Sequence, residues 1–530
     1  MLKFVPNPQE IIEREGSFIL GDDINVLGDL SENIKIQLKN VLLPIVGTKI
    51  HEVSEDTKGS ICFTLDKDIQ LEGYNLIVNE NGITIKASDD RGFFYAIMTI
   101  YQLISSTGRE LPLCEIKDYP RFRYRSFMID VGRYFFPVKD IKTFIDVCAI
   151  LKLNVLHMHL TEDQGWRIEI DKYPLLTEQG SKRKNTNGNC KEHSGFFTKE
   201  DIKLIVDYAH SKYISVVPEI DMPGHMESAI SCYKHLGCFD REIDVATHFG
   251  VKHDILCAGK ETTYEFVKDV LDEVMDMFPD GCIHLGGDEA VKHRWNLCPK
   301  CKKKMEELGV DADGLQSVFM NEMARFVKER GYTPIVWNER KKDDILDKDV
   351  IWNYYMPAPD CEKAMVDEIN NGRKCINVNS DAYYYDLPYH DVPLKNAYNY
   401  DPIIKGIDKD KIDSILGVEC DLWTEYVPNM KVASKKLFPR IFAMAETSWT
   451  NEENKDYEEF IIRLEPLQEI MYSITGYPST TVKQANPGKI KGFFEKLWFE
   501  KRQLFWEGAK ILIEDNKIER QVKKGKLGKD

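Results

Sequence analysis

Two neighbouring carboxylates, Asp288 and Glu289, end the run Ile283-His284-Leu285-Gly286-Gly287-Asp288-Glu289-Ala290. Adjacent side chains on a strand point to opposite faces, so this pair can share one site only where a strand stops and the backbone turns. Gly286 and Gly287 permit such a turn and let another group approach the backbone. Paired acids at the C-terminal end of a strand suit acid/base chemistry. Asp-Glu pairs also occur at helix starts as dipole partners, so their surroundings must decide.

Those surroundings are rich in polar and aromatic residues. Seven other apolar runs end in comparable clusters. They are Gly132-Arg133, Glu162-Asp163-Gln164-Gly165-Trp166, Asp221-Met222-Pro223-Gly224-His225, Trp337-Asn338-Glu339, Trp352-Asn353-Tyr354, Tyr384-Tyr385-Asp386 and Trp423-Thr424-Glu425. One such end is explicable as a cap or a packed Trp; eight together point to a ligand site. Trp337, Trp352 and Trp423 among carboxylates and Arg133 describe a sugar pocket. Indole rings stack on the apolar C–H faces of a pyranose, and bidentate Asp, Glu and Arg groups meet its hydroxyls.

The elements that position these residues alternate between strand-like and helical patterns from about residue 119, the signature of βα units and a parallel sheet. The eight runs are 126–131, 155–160, 214–220, 282–285, 334–337, 350–354, 375–378 and 415–420. Helical patterns fall at 139–151, 199–211, 264–277 and 315–330, and Thr262 with Glu265 reads as a capping box for the third. The fifth and sixth runs are too close for more than a vestigial helix. Eight runs over residues 119–475 predict a (β/α)8 TIM barrel, whose chemistry sits where strands end and βα loops begin. A doubly wound open sheet is the alternative, disfavoured because no glycine-rich phosphate loop follows the first strand.

Residues 1–118 read as a small α+β domain, with a hairpin turn at Asn79-Glu80-Asn81-Gly82 and a helix from about Arg91 to Leu103. A closing helix is expected over 456–474. Residues 476–530 form a helical extension whose stripe of Phe494, Leu497, Trp498, Leu504 and Phe505 suits packing on the barrel or on a second copy in a homo-oligomer.

A net charge of −16 argues against a nucleic-acid partner. No apolar run reaches the ~18 residues of a membrane span. The first residues lack the apolar core of a signal peptide. Thirteen scattered cysteines then suggest reduced thiols and a cytoplasmic protein. Cys298-Pro299-Lys300-Cys301 has the spacing of half a zinc site. A structural zinc needs four ligands, and Cys232, His235 and Cys238 follow no standard spacing. The motif reads as a local turn with two free thiols, and no metal is assigned. His157 and His159 form an HxH that invites a metal-dependent hydrolase reading. The later strand ends offer Trp, Asn and Glu rather than further ligands, so a hydrogen-bonded core role is expected.

The runs HLTEDQGWRIEI, PEIDMPGH, IHLGGDEA, IVWNE and DLWTEY, in this order, resemble glycoside hydrolase family twenty, the β-N-acetylhexosaminidases. The resemblance extends from the N-terminal unit to about residue 475. It implies exo-acting removal of terminal β-linked N-acetylglucosamine or N-acetylgalactosamine, with retention and without metal or cofactor. It further implies that the substrate's own acetamide oxygen is the nucleophile, an exception to the two-carboxylate scheme. Glu289 is then the general acid, with a pKa raised by desolvation, and Asp288 orients the acetamide. Tyr384 donates to the acetamide oxygen, Trp337, Trp352 and Trp423 wall the sugar, and Arg133, Asp386 and Glu425 bind outer hydroxyls. Asp163 and His225 form a supporting pair near Glu289. The chain departs from the pattern at Ser126, where glycine is usual, at Gly132-Arg133-Tyr134, which replaces Ala-Arg-His, and at Glu162, more commonly Asp. A non-catalytic sugar-binding barrel is the remaining alternative, though it would not need both Asp288 and Glu289.

Overall fold

Glu80 and Asn81 make the two-residue turn expected from the sequence, joining the antiparallel strands Tyr74–Asn79 and Gly82–Ala87. The computed structural model, which describes residues 2–46, 49–339, 345–488 and 507–528, places this hairpin within a seven-stranded N-terminal sheet. In space its strands run Glu10–Ile19, Glu110–Asp118, Tyr74–Asn79, Gly82–Ala87, Ser60–Leu65, Asp23–Leu27 and Lys49–Glu52. The helix Asp90–Thr107 starts where the Asp89 side chain accepts from the Gly92 N–H, and most of it, including Gly92–Ile100, is buried.

The chain then enters a closed barrel of eight parallel strands: Tyr124–Asp130, Val155–His159, Ser215–Glu219, Cys282–His284, Thr333–Trp337, Ile351–Tyr354, Cys375–Asn377 and Ile415–Leu422. The last pairs with the first, and Gly417 makes that closure possible. A Cβ there would lie 1.7 Å from the Tyr124 carbonyl oxygen. Helices Val138–Ile150, Lys199–Ser211, Glu261–Met277, Ala312–Glu329, Pro359–Asn370 and Arg440–Trp449 belong to the βα units around it, and Tyr457–Thr475 closes the barrel from an Asp456 cap. Among the described residues, no helix separates the fifth and sixth strands.

One capping assignment fails. The third of the expected helices begins at Glu261, with Lys260 as N-cap, so Thr262 lies inside its first turn. Capping boxes form instead between Thr198 and Asp201 and between Thr481 and Gln484. Lys260 is held elsewhere, its ammonium donating to the carbonyls of His235 and Gly237. The aromatic stripe from Phe494 to Phe505 lies outside the described residues. The helix Glu507–Lys523 docks on loops beside the barrel mouth, where Asp515 accepts from Arg294 at 2.6 Å and pairs with His253 at 2.8 Å.

Buried carboxylates join the N-terminal sheet to the barrel: Glu72 pairs with Arg125 of the first barrel strand at 2.9 Å, and Asp118 gathers three partners. Asp118 ends its strand and accepts from Lys152 at 2.7 Å, Tyr74 at 2.7 Å and Trp449 Nε1 at 2.8 Å. Lys152 follows the first barrel helix, Trp449 ends the helix Arg440–Trp449, and the ammonium lies 4.6 Å from the indole centroid. Burial lowers the Lys152 pKa and Asp118 opposes that shift. Deleting one partner of a buried pair strands the other charge, at a cost of roughly 3–5 kcal/mol. Asp118→Ala should therefore lower the unfolding free energy by about 3 kcal/mol in a denaturant titration, with partial recovery on adding Lys152→Met. A loss below about 1 kcal/mol would remove this joint from the account.

Candidate active site

The fourth strand stops at His284 because the residues after it cannot continue a strand. Gly286 and Gly287 take φ of +65° and +109°, and Glu289 follows at +47°. A Cβ at 286 would sit 1.7 Å from Asp221 Oδ1, and that oxygen accepts the Gly287 N–H at 3.0 Å. Trp337 N–H and Gln316 Nε2 fix the carbonyls of Gly286 and Gly287 at 3.0 and 2.7 Å. Glycine is thus required at 286 for both backbone conformation and space. The turn sends Asp288 inward, where it is buried, and leaves the Glu289 side chain 44% exposed at the mouth.

One imidazole faces both acids. His225 Nε2 lies 3.5 Å from Glu289 Oε2 and 3.9 Å from Asp288 Oδ2. Its Nδ1 lies 2.9 Å from Glu162 Oε1 and 3.6 Å from Asp163 Oδ2. Glu162, rather than the expected Asp163, is thus the nearer carboxylate behind His225. Asp163 Oδ1 instead caps the Glu227 N–H at 3.0 Å. Glu162 also pairs with Arg133 at 2.6 Å and faces His159 at 3.4 Å. Below them in the lumen, Glu219 meets His159 at 2.6 Å, His157 and His284 at 3.1 Å each, and Trp337 Nε1 at 2.6 Å. His157 Nδ1 also meets Glu419 at 3.2 Å, so the HxH pair takes the hydrogen-bonded core role expected of it.

These contacts set the titration of the site. Burial lowers the His225 pKa, but the Glu162 charge and hydrogen bond overcome it and hold the ring well above its ordinary value. Burial pushes Asp288 up to about 7, with His225 opposing and Glu289 reinforcing. Burial also raises Glu289, yet the hydrogen bond and charge of His225, with Arg133, prevail and leave it below the usual carboxylate value. The raised pKa expected of Glu289 is therefore absent from the free site. The hydrogen bond and charge of His225, with the Arg133 charge, outweigh burial and account for the difference.

Around Asp288 the walls are aromatic. Trp337 and Trp423 lie 5.8 Å apart, Trp423 and Tyr384 6.0 Å, and Trp337 and Tyr355 5.8 Å. Tyr355 and Tyr384 are parallel at 6.3 Å. Arg133 lies 5.0 Å over Trp423 and 3.8 Å from Glu425. Burial holds Asp386 up at about 7, with the Glu425 charge next in effect. Asp288 Oδ1, Asp386 Oδ1, Trp423 Nε1 and Tyr355 Oη are buried without a hydrogen-bond partner among the described residues. Such orphans are costly unless a ligand or solvent meets them.

Trp352 is not part of this wall. The register pairs Ile335 with Ile351 and Trp337 with Asn353, so the lumen-facing neighbour of Trp337 is Asn353, which donates to Glu419 at 2.8 Å. Trp352 points the other way, into the layer outside the strands, with the Arg373 guanidinium 4.4 Å from its ring. Tyr355, the next position of inward parity, fills the place expected of Trp352. Strand alternation counted from Asn353 carries that signal. Glu162 had a weaker one, its position within a cluster of polar residues.

The geometry agrees with comparison to known proteins. The profile described as "Glycosyl hydrolase family 20, catalytic domain" matches residues 122–452, and "Glycosyl hydrolase family 20, domain 2" matches residues 2–119. The chain belongs to glycosyl hydrolase family 20. It is 35% identical over 491 residues to a β-hexosaminidase of Porphyromonas gingivalis, covering 88% of this chain but 62% of that one. Among solved structures, a Bacteroides fragilis β-N-acetylhexosaminidase superposes with a TM-score of 0.81 at 31% identity, over 92% of this chain and 99% of that one. A Vibrio harveyi exo-β-N-acetylglucosaminidase in complex with N-acetylglucosamine has a TM-score of 0.81 at 28% identity, over 90% and 78% of the two chains.

The raised Asp288 pKa has a consequence for stability. An unfolded Asp titrates near about 3.9, so between that value and about 7 the folded protein holds the extra proton. Raising pH through this window removes it and destabilises the fold. Asp288→Asn should stabilise the ligand-free protein by roughly 1–3 kcal/mol at about pH 8, read as a higher Tm, and this gain should vanish near pH 4. An unchanged Tm at the higher pH would contradict the buried, reluctant carboxyl.

Proposed function

We propose that the protein is an exo-acting, retaining β-N-acetylhexosaminidase that hydrolyses terminal β-linked N-acetylglucosamine or N-acetylgalactosamine through the substrate's own acetamide. The observation that carries this reading is the unequal depth of two adjacent acids. Asp288 is buried, its charge acting on Tyr355 and Tyr384, which pack with Trp337 and Trp423, while Glu289 stands at the mouth. Retaining enzymes with a carboxylate nucleophile hold two carboxyl groups on opposite sides of the bond, about 5–5.5 Å apart. Here both acids rise from one turn beside one imidazole nitrogen, which suits approach from the same side.

In this scheme the aromatic box receives the N-acetyl arm. Ionised Asp288 accepts its N–H and turns the carbonyl oxygen onto the anomeric carbon, with Tyr384 donating to that oxygen. The C–O bond to the leaving group breaks as the acetamide oxygen bonds to carbon, giving an oxazolinium that Asp288 stabilises. Holding the nucleophile in place supplies an effective molarity of about 10⁵ M or more. Glu289 gives its proton to the departing oxygen and later takes one from water, a role worth roughly 10² to 10⁴ in rate. The leaving group itself covers Glu289 and excludes water, which lifts its pKa towards that of an acid. Arg133, Asp386 and Glu425 close the far end of the pocket and take the outer hydroxyls, which favours a terminal sugar. Reduced surroundings accord with all thirteen cysteines lacking a disulfide, and a cytoplasmic site of action is part of the proposal.

Glu289→Gln should cut hydrolysis of alkyl N-acetylglucosaminides by at least about a hundredfold while sparing activated aryl substrates. Wild-type protein should cleave the matching plain 2-hydroxyl glucoside at least about 10³-fold more slowly. Comparable rates on the two sugars would end the acetamide mechanism. Tyr355→Phe should lower kcat/KM by about tenfold through loss of a pocket hydroxyl, whereas Trp352→Phe should change kinetics less than about twofold. The reverse ranking would restore Trp352 to the pocket.

A further inference from the structure

Four cysteines from three separate segments meet beside the catalytic loop. Cys238 lies just beyond the short helical turn Lys234–Leu236, and Cys257 precedes the helix Glu261–Met277. Cys298 caps the helix Pro299–Leu308, and Cys301 sits in its first turn. Their four sulfurs lie within 4.8 Å of one another. The separations are 3.5 Å for Cys257–Cys301, 3.9 Å for Cys257–Cys298 and 4.0 Å for Cys238–Cys301.

Those distances discriminate between chemistries. A disulfide needs about 2.05 Å between sulfurs, and none of the four is so paired. Four sulfurs about 2.3 Å from a central ion, at tetrahedral angles, lie about 3.8 Å apart. The observed spacings straddle that value. We propose that Cys238, Cys257, Cys298 and Cys301 bind one structural zinc ion as a tetrahedral four-thiolate site.

The backbone around the sulfurs fits a closed, preformed site. A Cβ at Gly259 would lie 2.4 Å from the carbonyl carbon of Lys300 and 2.5 Å from the Cys301 nitrogen, so glycine lets the Cys257 segment press against the Cys298–Cys301 turn. Gly237 and Leu256 form an isolated antiparallel bridge, and the Cys257 N–H donates to Leu236 at 2.8 Å, fixing Cys238 and Cys257 side by side. All four residues are at most 9% exposed. Binding Zn²⁺ releases the four thiol protons and leaves a centre of net charge −2, with no change of oxidation state. The N-terminus of the helix Pro299–Leu308 meets that charge with the positive end of its dipole. Lys260 donates to the Gly237 carbonyl at 2.6 Å beside Cys238, with its own charge met by Asp240 at 2.6 Å.

The ion would act by position. Cys298 follows Glu289 by nine residues, and between them Trp295 is fully buried, its Nε1 donating to the Leu256 carbonyl at 2.8 Å. The site thus staples the loop that carries Glu289 to the loop that follows His225.

The test uses the full chain purified without chelators. Plasma mass spectrometry should find one zinc per chain, and zinc-edge X-ray absorption should give four sulfur neighbours at about 2.3 Å. A mercurial that caps thiolates should release that zinc to a colorimetric dye. Cys257→Ser and Cys301→Ser should lose stoichiometric zinc, while Glu289→Gln keeps it, which separates the metal site from the proposed reaction. Should the serine variants fail to fold, the wild-type absorption spectrum still decides. Zinc-free protein from zinc-supplemented cultures, nitrogen or oxygen neighbours in the spectrum, or iron bound in place of zinc would each overturn the proposal.

Discussion

Two ionised carboxylates repel each other in one small site, and a cation facing both reduces that cost. Here that is His225, and its charge is not its own to keep: burial opposes it, and Glu162 sustains it. Glu162 is in turn held by Arg133 and faces His159, which rests on Glu219. The result is an alternating column of anions and cations rising through the barrel to Asp288 and Glu289. A buried ion left without its partner costs several kcal/mol, so each member fixes the protonation and orientation of the next. The turn at Gly286-Gly287 delivers the acids to the top of this column. Asp221 holds that turn from the adjacent strand end.

Much of this is legible in the amino-acid sequence. Apolar runs broken by polar clusters identify barrel strands because each strand is buried on both faces along its length and meets ligand at its end. Eight strands lie where those runs predict, and Asp288, Glu289, Arg133, His225, Trp337, Tyr384, Asp386, Trp423 and Glu425 do converge. The failures are failures of parity and of partner. Trp352 is one residue out of phase with the lumen, and a one-residue shift reverses the face. Glu162 competes with Asp163 for the same imidazole, and only packing decides between neighbours. Thr262 has the right partner for a capping box but lies inside the helix, because Lys260 ends the preceding loop.

The four cysteines mark a different limit. Cys298 and Cys301 form a recognisable half-site, yet their partners come one at a time from distant loops. Linear spacing encodes ligand sets that fold locally; it does not encode sets assembled by a barrel's loop ends. The same applies to Asp118, an unremarked strand-terminal acid that binds Lys152, Tyr74 and Trp449 from three other parts of the chain. Both features become visible only once topology has brought remote segments together.

The unequal depth of Asp288 and Glu289 also divides recognition into two regimes. The enclosed half of the site has closely packed rings and polar atoms with no hydrogen-bond partner among the described residues. The outer half is one acid whose side chain is 44% exposed. Under the proposed reaction, a site so built would be strict about the unit it removes and permissive about whatever that unit decorates.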